Sequence, residues 1–333
     1  MKGRIAMHQE MIVLNGERNV TLTAYVQAVG GKFDYIPKRP AVLVLPGGGY
    51  QYCSQREADP VAFAYLKAGY QTFVLNYSVA QHSLWPNPLR DVEQALELIR
   101  TREDWNVYPD KVAVIGFSAG GHLAAAAATM AKERPNAAIL GYPVTGLDVT
   151  GCNPSAPDTT RYVDKHTCPC FVFATCSDDV VPVQNSLDFC RALADAKISF
   201  ESHIYAYGPH GFSTCDSAVH PLATPVCSRV PNWVADSIGF LRDVMGDFGA
   251  GRMTEPVCPR YTSADNDPVL SVDCTVGLIL SNEQAVEALG ALAHQLEGDL
   301  IKKMTLRGIL GFAKYPAEEI TKLDERLRTI ENQ

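Results

Sequence analysis

Residues 112–124 read VAVIGFSAGGHLA. The opening VAVI is apolar and β-branched, which is typical of a buried strand, and the alanine-rich residues after Gly120 favour a helix. Between them stands GFSAG, a match to the G-x-S-x-G pattern that sets a serine on a sharp strand-to-helix turn. Small neighbours relieve the crowding of the backbone there. The stretch therefore predicts that the Ser118 hydroxyl projects from the edge of a sheet, where a base can activate it as a nucleophile.

The same alternation of strands and helices continues on both sides of this turn, up to about residue 245. Strands are expected at 11–14, 20–27, 41–45, 71–77, 112–115, 138–142, 171–175 and 202–207. Helices are expected at 60–67, 91–102, 121–131, 183–194 and 234–244. Alternating strands and helices predict an α/β sandwich of three layers, with a mostly parallel sheet between helices and the chemistry at the carboxyl ends of the strands.

The amino-acid composition changes near residue 249, where Pro, Asp and Arg become frequent. We predict a catalytic domain over residues 1–248, a linker or wrapping segment over 249–275, and a small helical appendage over 276–333. The appendage shows three helical signals, which are a capping box of Ser281 with Gln284, a helix expected at 300–312, and Pro316 in a first-turn position. Each helix has one apolar face that needs a partner surface, so a homodimer through these helices is an expectation that light scattering on a shortened chain would test.

The composition of the chain indicates which classes of binding partner fit it poorly. The 333-residue chain has a formal net charge of −8 and no run of Lys or Arg, which argues against nucleic acid or an anionic membrane. Residues 1–10 lack the apolar core of a signal peptide, and no apolar stretch is long enough to cross a bilayer. Ten scattered cysteines then predict reduced thiols in the cytoplasm. Cys168 and Cys170 have no matching second pair, so no metal site is expected.

A serine nucleophile needs a histidine base, and on this kind of turn the partners follow in the order Ser, acid, His. Of the eight histidines, His210 lies in YGPHGF at 207–212, in the loop after the last expected core strand. Glycines on both sides let that loop turn toward the serine. The other seven lie before the serine, on its helix, before the candidate acid, in a strand, in a proline-rich stretch or in the tail. His210 is the predicted base.

Two adjacent aspartates compete for the role of the acid. They follow the expected strand at 171–175, within SDDVVP at 177–182. The pattern D-x-x-V-P, in which the acid begins the loop and the proline begins the next helix, selects Asp178. Asp179 is then expected to be a solvated residue at the helix entry. The acid holds the imidazole in the right tautomer and stabilises its charged form.

The glycine run PGGGY at 46–50 follows another expected strand. Bare amides in such a loop can approach a negatively charged oxygen, so Gly48, Gly49 and Ala119 are the candidate oxyanion donors. A nucleotide-phosphate loop does not fit, because no Gly-Lys-Ser/Thr follows and no G-x-G-x-x-G precedes a helix. Tyr50 and Trp85 are either substrate-pocket aromatics or ordinary packing residues, and the sequence leaves both possibilities open.

Five segments together carry a resemblance that covers residues 10–245. They are LPGGGY at 45–50, WP at 85–86, VIGFSAGGHLA at 114–124, SDDVVPVQNSL at 177–187 and GPHGF at 208–212. In combination they resemble the α/β-hydrolase superfamily, in its esterase branch related to acetyl-xylan esterases and bacterial feruloyl-esterase-like proteins. The resemblance implies acyl transfer without a cofactor, through an acyl-Ser118 intermediate. The implied substrates are short acyl esters, often acetyl groups on xylan-derived sugars.

Two features depart from related lipases. Pro46 stands where those enzymes often have His, and the segment 143–169 is short, so any lid is small and short soluble esters suit it. The leading hypothesis is a carboxylesterase that removes acetyl groups from oligosaccharides taken into the cell. An amidase or arylformamidase would use the same residues. A non-catalytic binding protein that kept the fold is the third hypothesis.

Overall fold

A computed structural model of the chain describes residues 7–219, 225–249 and 252–332. The chain divides into two compact units, the first ending at Arg260 and the second beginning at Tyr261. Among its described residues, the first unit contains one sheet of eight strands, which are β1 Met7–Asn15, β2 Val20–Gln27, β3 Arg39–Leu45, β4 Gln71–Asn76, β5 Val107–Phe117, β6 Ala137–Gly141, β7 Cys170–Thr175 and β8 Phe200–Tyr205.

The strands lie in the order β1-β2-β4-β3-β5-β6-β7-β8. The pairs β1–β2 and β2–β4 are antiparallel, and every other neighbouring pair is parallel. Every residue of β3, β6 and β7 is buried, which is the pattern of strands covered on both faces. The edge strand β1, by contrast, has no buried residue.

Helices connect the parallel strands and pack against them. They are α1 Asp59–Lys67, α2 Asn87–Thr101, α3 Ala119–Met130, α4 Gln184–Asp195 and α5 Trp233–Met245. Each parallel crossover places the next strand with its carboxyl end at the same edge of the sheet, so the loops after β3, β5, β7 and β8 gather there. The predicted α/β sandwich with a mostly parallel sheet is confirmed.

The second unit has its own apolar core, built on helices α6 Val276–Leu280, α7 Glu283–Leu289, α8 Asp299–Lys303, α9 Leu306–Phe312 and α10 Ala317–Leu327. The prediction of a single helix at 300–312 is wrong, because two helices, α8 and α9, occupy this stretch. Met304 is extended, and Thr305 begins a new helix by accepting a hydrogen bond from the Gly308 amide at 3.3 Å. The capping residue is also shifted, since Asn282 rather than Ser281 accepts from the Ala285 amide, at 3.1 Å.

Two further observations bear on the sequence-based expectations. Over residues 7–219, 225–249 and 252–332, no helix combines the length and the apolar character needed to cross a membrane. All ten cysteines lie within these ranges, and each is a free thiol.

Candidate active site

Ser118 occupies the turn between β5 and α3, as its motif predicts. Its backbone has φ 54° and ψ −118°, a left-handed conformation that is rare outside glycine and marks strain. The turn tolerates no side chain at position 120, because a Cβ on Gly120 would lie 2.1 Å from the carbonyl oxygen of Leu45. The Ser118 amide donates to the Gly141 carbonyl at 2.9 Å, which ties the turn to the end of β6. The strained turn therefore lifts the hydroxyl above the sheet edge.

The structure brings the three candidate catalytic side chains into one chain of hydrogen bonds. Nε2 of His210 lies 2.9 Å from Oγ of Ser118, and its Nδ1 lies 2.8 Å from Oδ2 of Asp178. The side chains of Asp178 and His210 are 1% and 15% exposed. Because a carboxylate only accepts, Nδ1 carries the proton, and Nε2 is left free to take the serine proton.

The second oxygen of Asp178 is also held. Its Oδ1 accepts from the amides of Val180 and Val181 at 2.9 and 2.8 Å. Asp179 does more than face solvent, since its Oδ1 accepts from the His210 amide at 3.3 Å. Asp178 therefore contacts the imidazole, whereas Asp179 contacts the backbone of the same residue.

The glycine loop after β3 faces the serine. Gly48 and Gly49 line the cavity that contains Ser118 and His210, and Ala119 begins the helix directly after the serine. In the described part of the chain, none of these three amides donates a hydrogen bond to another protein group. Gly48 has φ +126°, and a Cβ there would lie 2.2 Å from the Tyr52 carbonyl oxygen, so only glycine fits. Three unpaired amides beside a serine hydroxyl can stabilise an oxyanion.

The cavity has a volume of about 500 Å³. Its lining includes the apolar residues Val144, Val180, Val181 and Pro182. It also includes polar residues from the loops, among them Tyr52, Arg56 and Asp148. Such a mixed lining can bind an apolar acyl chain next to a polar alcohol.

Tyr50 and Trp85 are not among the residues that line this cavity. Tyr50 is fully buried, and its hydroxyl lies 2.6 Å from Nδ1 of His122. The Trp85 ring packs edge-on against His122, with ring centres 5.6 Å apart. Nε2 of His122 lies 2.8 Å from the Pro157 carbonyl, so it must donate there, and Nδ1 accepts from Tyr50. Burial lowers the pKa of His122 to about 4, in keeping with a neutral structural histidine.

Comparisons with known proteins agree with this fold. A family model described as BD-FAE matches residues 35–145. The crystal structure of MGS-M1, an α/β hydrolase from a Medee basin deep-sea metagenome library, is 41% identical, with a TM-score of 0.66. The match covers 72% of this chain and 98% of that one. The chain belongs to the α/β hydrolases.

Two curated relatives of this α/β hydrolase act on xylan by name. The acetylxylan esterase of Xylanibacter ruminicola is 32% identical over 205 residues, which are 54% of this chain and 42% of that protein. The endo-1,4-beta-xylanase B of Butyrivibrio fibrisolvens is 32% identical over 211 residues, which are 54% of this chain and 33% of that protein. The chain thus matches less than half the length of either relative.

Sequence reasoning missed two buried residues of this α/β hydrolase site, Glu57 and Tyr142. Glu57 lines the cavity, yet it is only 4% exposed. Tyr142 is 1% exposed and follows β6 with φ 37°. Burial, together with the Glu57 carboxylate, raises the pKa of Tyr142 well above its ordinary value, so the hydroxyl keeps its proton. A charged residue near a glycine loop is a common surface feature, and no local signal marked this one as buried.

Proposed function

We propose that this α/β hydrolase is a serine carboxylesterase that removes short acyl groups, acetyl above all, from xylan-derived or other oligosaccharides. The observation that carries the proposal is the chain of hydrogen bonds from Ser118 through His210 to Asp178, at 2.9 and 2.8 Å. Beside these side chains lie the Gly48, Gly49 and Ala119 amides, which have no acceptor among the residues that the structure describes. A nucleophile, its base, the base's orienting acid and an oxyanion site are the parts that acyl transfer needs.

Acylation begins when Oγ of Ser118 attacks the ester carbonyl and Nε2 of His210 takes the hydroxyl proton. The carbonyl oxygen becomes an oxyanion, which accepts hydrogen bonds from Gly48, Gly49 and Ala119. Asp178 stabilises the imidazolium without taking its proton. Collapse of the tetrahedral intermediate breaks the bond to the alcohol, which leaves with the proton from His210.

Deacylation repeats these steps with water as the nucleophile. His210 takes a proton from the water as its oxygen attacks the acyl-Ser118 carbonyl. The same amides hold the second oxyanion. When the bond to the serine oxygen breaks, His210 returns the proton to Oγ, and the carboxylic acid leaves. The enzyme is restored without a cofactor.

A short acyl group is supported by the segment between β6 and β7. This segment contains only two short 3₁₀ helices, Leu147–Gly151 and Thr159–Tyr162. It brings Cys152 against the glycine loop, where a Cβ on Gly49 would lie 3.8 Å from the Cys152 Cβ. We infer that the Cys152 side chain, which also lines the cavity, limits the length of the acyl group that fits beside these amides and so favours acetyl.

A sugar alcohol is supported by the polar residues that line the cavity. The Tyr52 side chain is 62% exposed and offers a ring face. Asp148 accepts from Nδ2 of Asn185 at 2.7 Å through one oxygen, which leaves the other for a sugar hydroxyl. Arg56 adds donors. The acetylxylan esterase relative, which acts on an acetylated sugar polymer by name, supports the same substrate class.

The test is a panel of substrates with a matched variant. Wild-type protein is assayed on p-nitrophenyl esters of increasing chain length, on acetylated xylo-oligosaccharides and on N-formylkynurenine. We expect acetyl esters to be preferred, and Ser118→Ala to lower kcat at least about 10⁴-fold. Turnover within a few-fold of wild type in Ser118→Ala would refute the assignment. Faster turnover of N-formylkynurenine than of any ester would make the protein an arylformamidase instead.

We further propose that the enzyme works in the cytoplasm, on the evidence of its thiols. Ten free cysteines are typical of a reducing compartment. Thiol titration of freshly purified, denatured protein should find all of them reactive. Titration of markedly fewer thiols in protein purified without reductant would contradict this location.

A further inference from the structure

Glu57 is a buried carboxylate without a basic partner. It is 4% exposed, and no Lys, Arg or His forms an ion pair with it within residues 7–219, 225–249 and 252–332. Its Oε2 accepts from the Gly47 amide at 2.9 Å, and its Oε1 accepts from the Tyr142 hydroxyl at 2.6 Å. Burial of an acid without a basic partner is unfavourable unless hydrogen bonds compensate. These two hydrogen bonds reach opposite sides of the active site.

The first hydrogen bond fixes the glycine loop. A Cβ on Gly47 would lie 2.6 Å from Oε2 of Glu57 and 3.2 Å from the Cβ of Ser118, so carboxylate, loop and serine turn pack without spare room. Because the Gly47 amide is held by Glu57, the chain direction at the next residue is set as well. The amides of Gly48 and Gly49 follow directly and are the proposed oxyanion donors.

The second hydrogen bond reaches the histidine loop. The Tyr142 hydroxyl, which donates to Glu57, accepts from the Ser213 amide at 3.1 Å. Its ring meets the His210 ring edge-on, with centres 4.9 Å apart. Ser213 makes a further link, because its hydroxyl donates to the carbonyl of Arg56 at 2.5 Å. The turn that carries Glu57 is therefore tied to the loop that carries the base.

We propose that Glu57 is a positioning residue, which holds the oxyanion amides and the base His210 in one fixed arrangement through Gly47 and Tyr142. The left-handed conformation of Tyr142, at φ 37°, fits this role. Bulky residues adopt it only where their surroundings compensate for the strain. This inference rests on the proposed acyl transfer at Ser118.

Glu57→Gln keeps the shape of the side chain but removes the carboxylate. Both partners of Glu57 donate, and a carboxylate can accept from both at once. A glutamine offers one accepting oxygen, so either the Gly47 amide or the Tyr142 hydroxyl loses its acceptor. Tyr142→Phe deletes a single oxygen atom, and with it both the hydrogen bond to Glu57 and the acceptor of the Ser213 amide.

The experiment compares Glu57→Gln and Tyr142→Phe with a control, Asp91→Asn. Asp91 is a fully buried carboxylate of the same unit, which accepts from the Ser78 amide at 2.8 Å and pairs with Arg18. It belongs to α2 and is not among the residues that line the cavity. Each variant is measured for kcat and KM on p-nitrophenyl acetate, for the rate at which a fluorophosphonate labels Ser118, and for its melting temperature.

We expect Glu57→Gln and Tyr142→Phe to lower both kcat and the labelling rate about 10- to 100-fold, the loss that a misplaced oxyanion donor causes. Their KM should change by less than about threefold, because ground-state contacts remain. Asp91→Asn should lower the melting temperature and leave kcat within about twofold of wild type, since the destabilised protein is still folded at the assay temperature.

Labelling and kcat within twofold of wild type in either active-site variant would overturn the inference. So would an equal loss in Asp91→Asn, which would mean that general destabilisation is the cause. Failure of the proposed function is distinguishable. If the wild type hydrolyses no ester, the esterase proposal fails, while the labelling rates of the variants still decide the role of Glu57.

Discussion

Oδ2 of Asp178 lies 2.8 Å from Nδ1 of His210. The adjacent Asp179 reaches the same residue from the backbone side, through the His210 amide at 3.3 Å. Only the first contact can set the imidazole tautomer. The second contact helps to hold the loop and leaves the ring untouched.

The two aspartates should therefore differ sharply in their effect on catalysis. Asp178→Asn keeps the shape but can donate to Nδ1, which favours the wrong tautomer, so kcat should fall about 10⁴-fold. Asp179→Asn keeps an oxygen that accepts from the His210 amide, so kcat should change by less than about 10-fold. Steady-state kinetics on p-nitrophenyl acetate checks both. A larger loss in Asp179→Asn than in Asp178→Asn would reverse the assignment.

His122 should make the first unit less stable in acid. Burial lowers its pKa from 6.5 to about 4, so the folded state binds this proton less readily than the unfolded chain does. Stability from this group is therefore complete above pH 6.5 and is lost as the pH falls toward about 4. The loss should reach about 3 kcal/mol, at about 1.4 kcal/mol for each pH unit.

His122→Gln supplies the comparison, because glutamine does not titrate. Urea unfolding is followed by tryptophan fluorescence, which reports on the first unit because Trp85, Trp105 and Trp233 all lie there. The free energy of unfolding should fall less steeply from pH 6.5 to about 4 in the variant than in the wild type. Parallel pH profiles would show that His122 is not the group responsible.

The sequence alone was enough to predict the parts of the site that depend on short motifs and on chain order. The strand–turn–helix around Ser118 is local, and the loops of Asp178 and His210 follow because parallel strands end at one edge of the sheet. The sequence did not predict the role of Glu57, because its hydrogen-bond partners lie 10 and 85 residues away along the chain. Tyr50 follows the glycine loop directly, but its positive φ of 59° and its contact with His122 are tertiary facts that no spacing reveals.

The second unit shows how a competing local signal misleads. Ser281 with Gln284 matches a capping box, but the Ser281 hydroxyl donates to the Leu278 carbonyl at 2.7 Å and so closes α6. Asn282 caps α7 instead. Asn282→Ala should destabilise α7 by about 1 kcal/mol, and speed amide exchange at Val286 about fivefold if α7 opens locally. Hydrogen exchange read by mass spectrometry checks this, with Ser281→Ala as the control. A greater increase in exchange in Ser281→Ala than in Asn282→Ala would show that Ser281 caps α7, as the capping box predicts.

The last prediction compares an aromatic residue that lines the cavity with one that does not. Tyr52 lines the cavity and is largely exposed, whereas Trp85 packs on His122. Tyr52→Ala should raise KM for an acetylated xylo-oligosaccharide about 3- to 10-fold, since a ring face contributes about 0.5–1.5 kcal/mol to a stacked contact. KM for methyl acetate, which has no sugar to stack, should not change.

Trp85→Ala is the matched control for this prediction. It removes an aromatic side chain of similar size from the packing around His122, so it should lower the melting temperature and leave both KM values unchanged. If Trp85→Ala raised KM for the oligosaccharide while Tyr52→Ala did not, the sugar would bind on the side of Trp85.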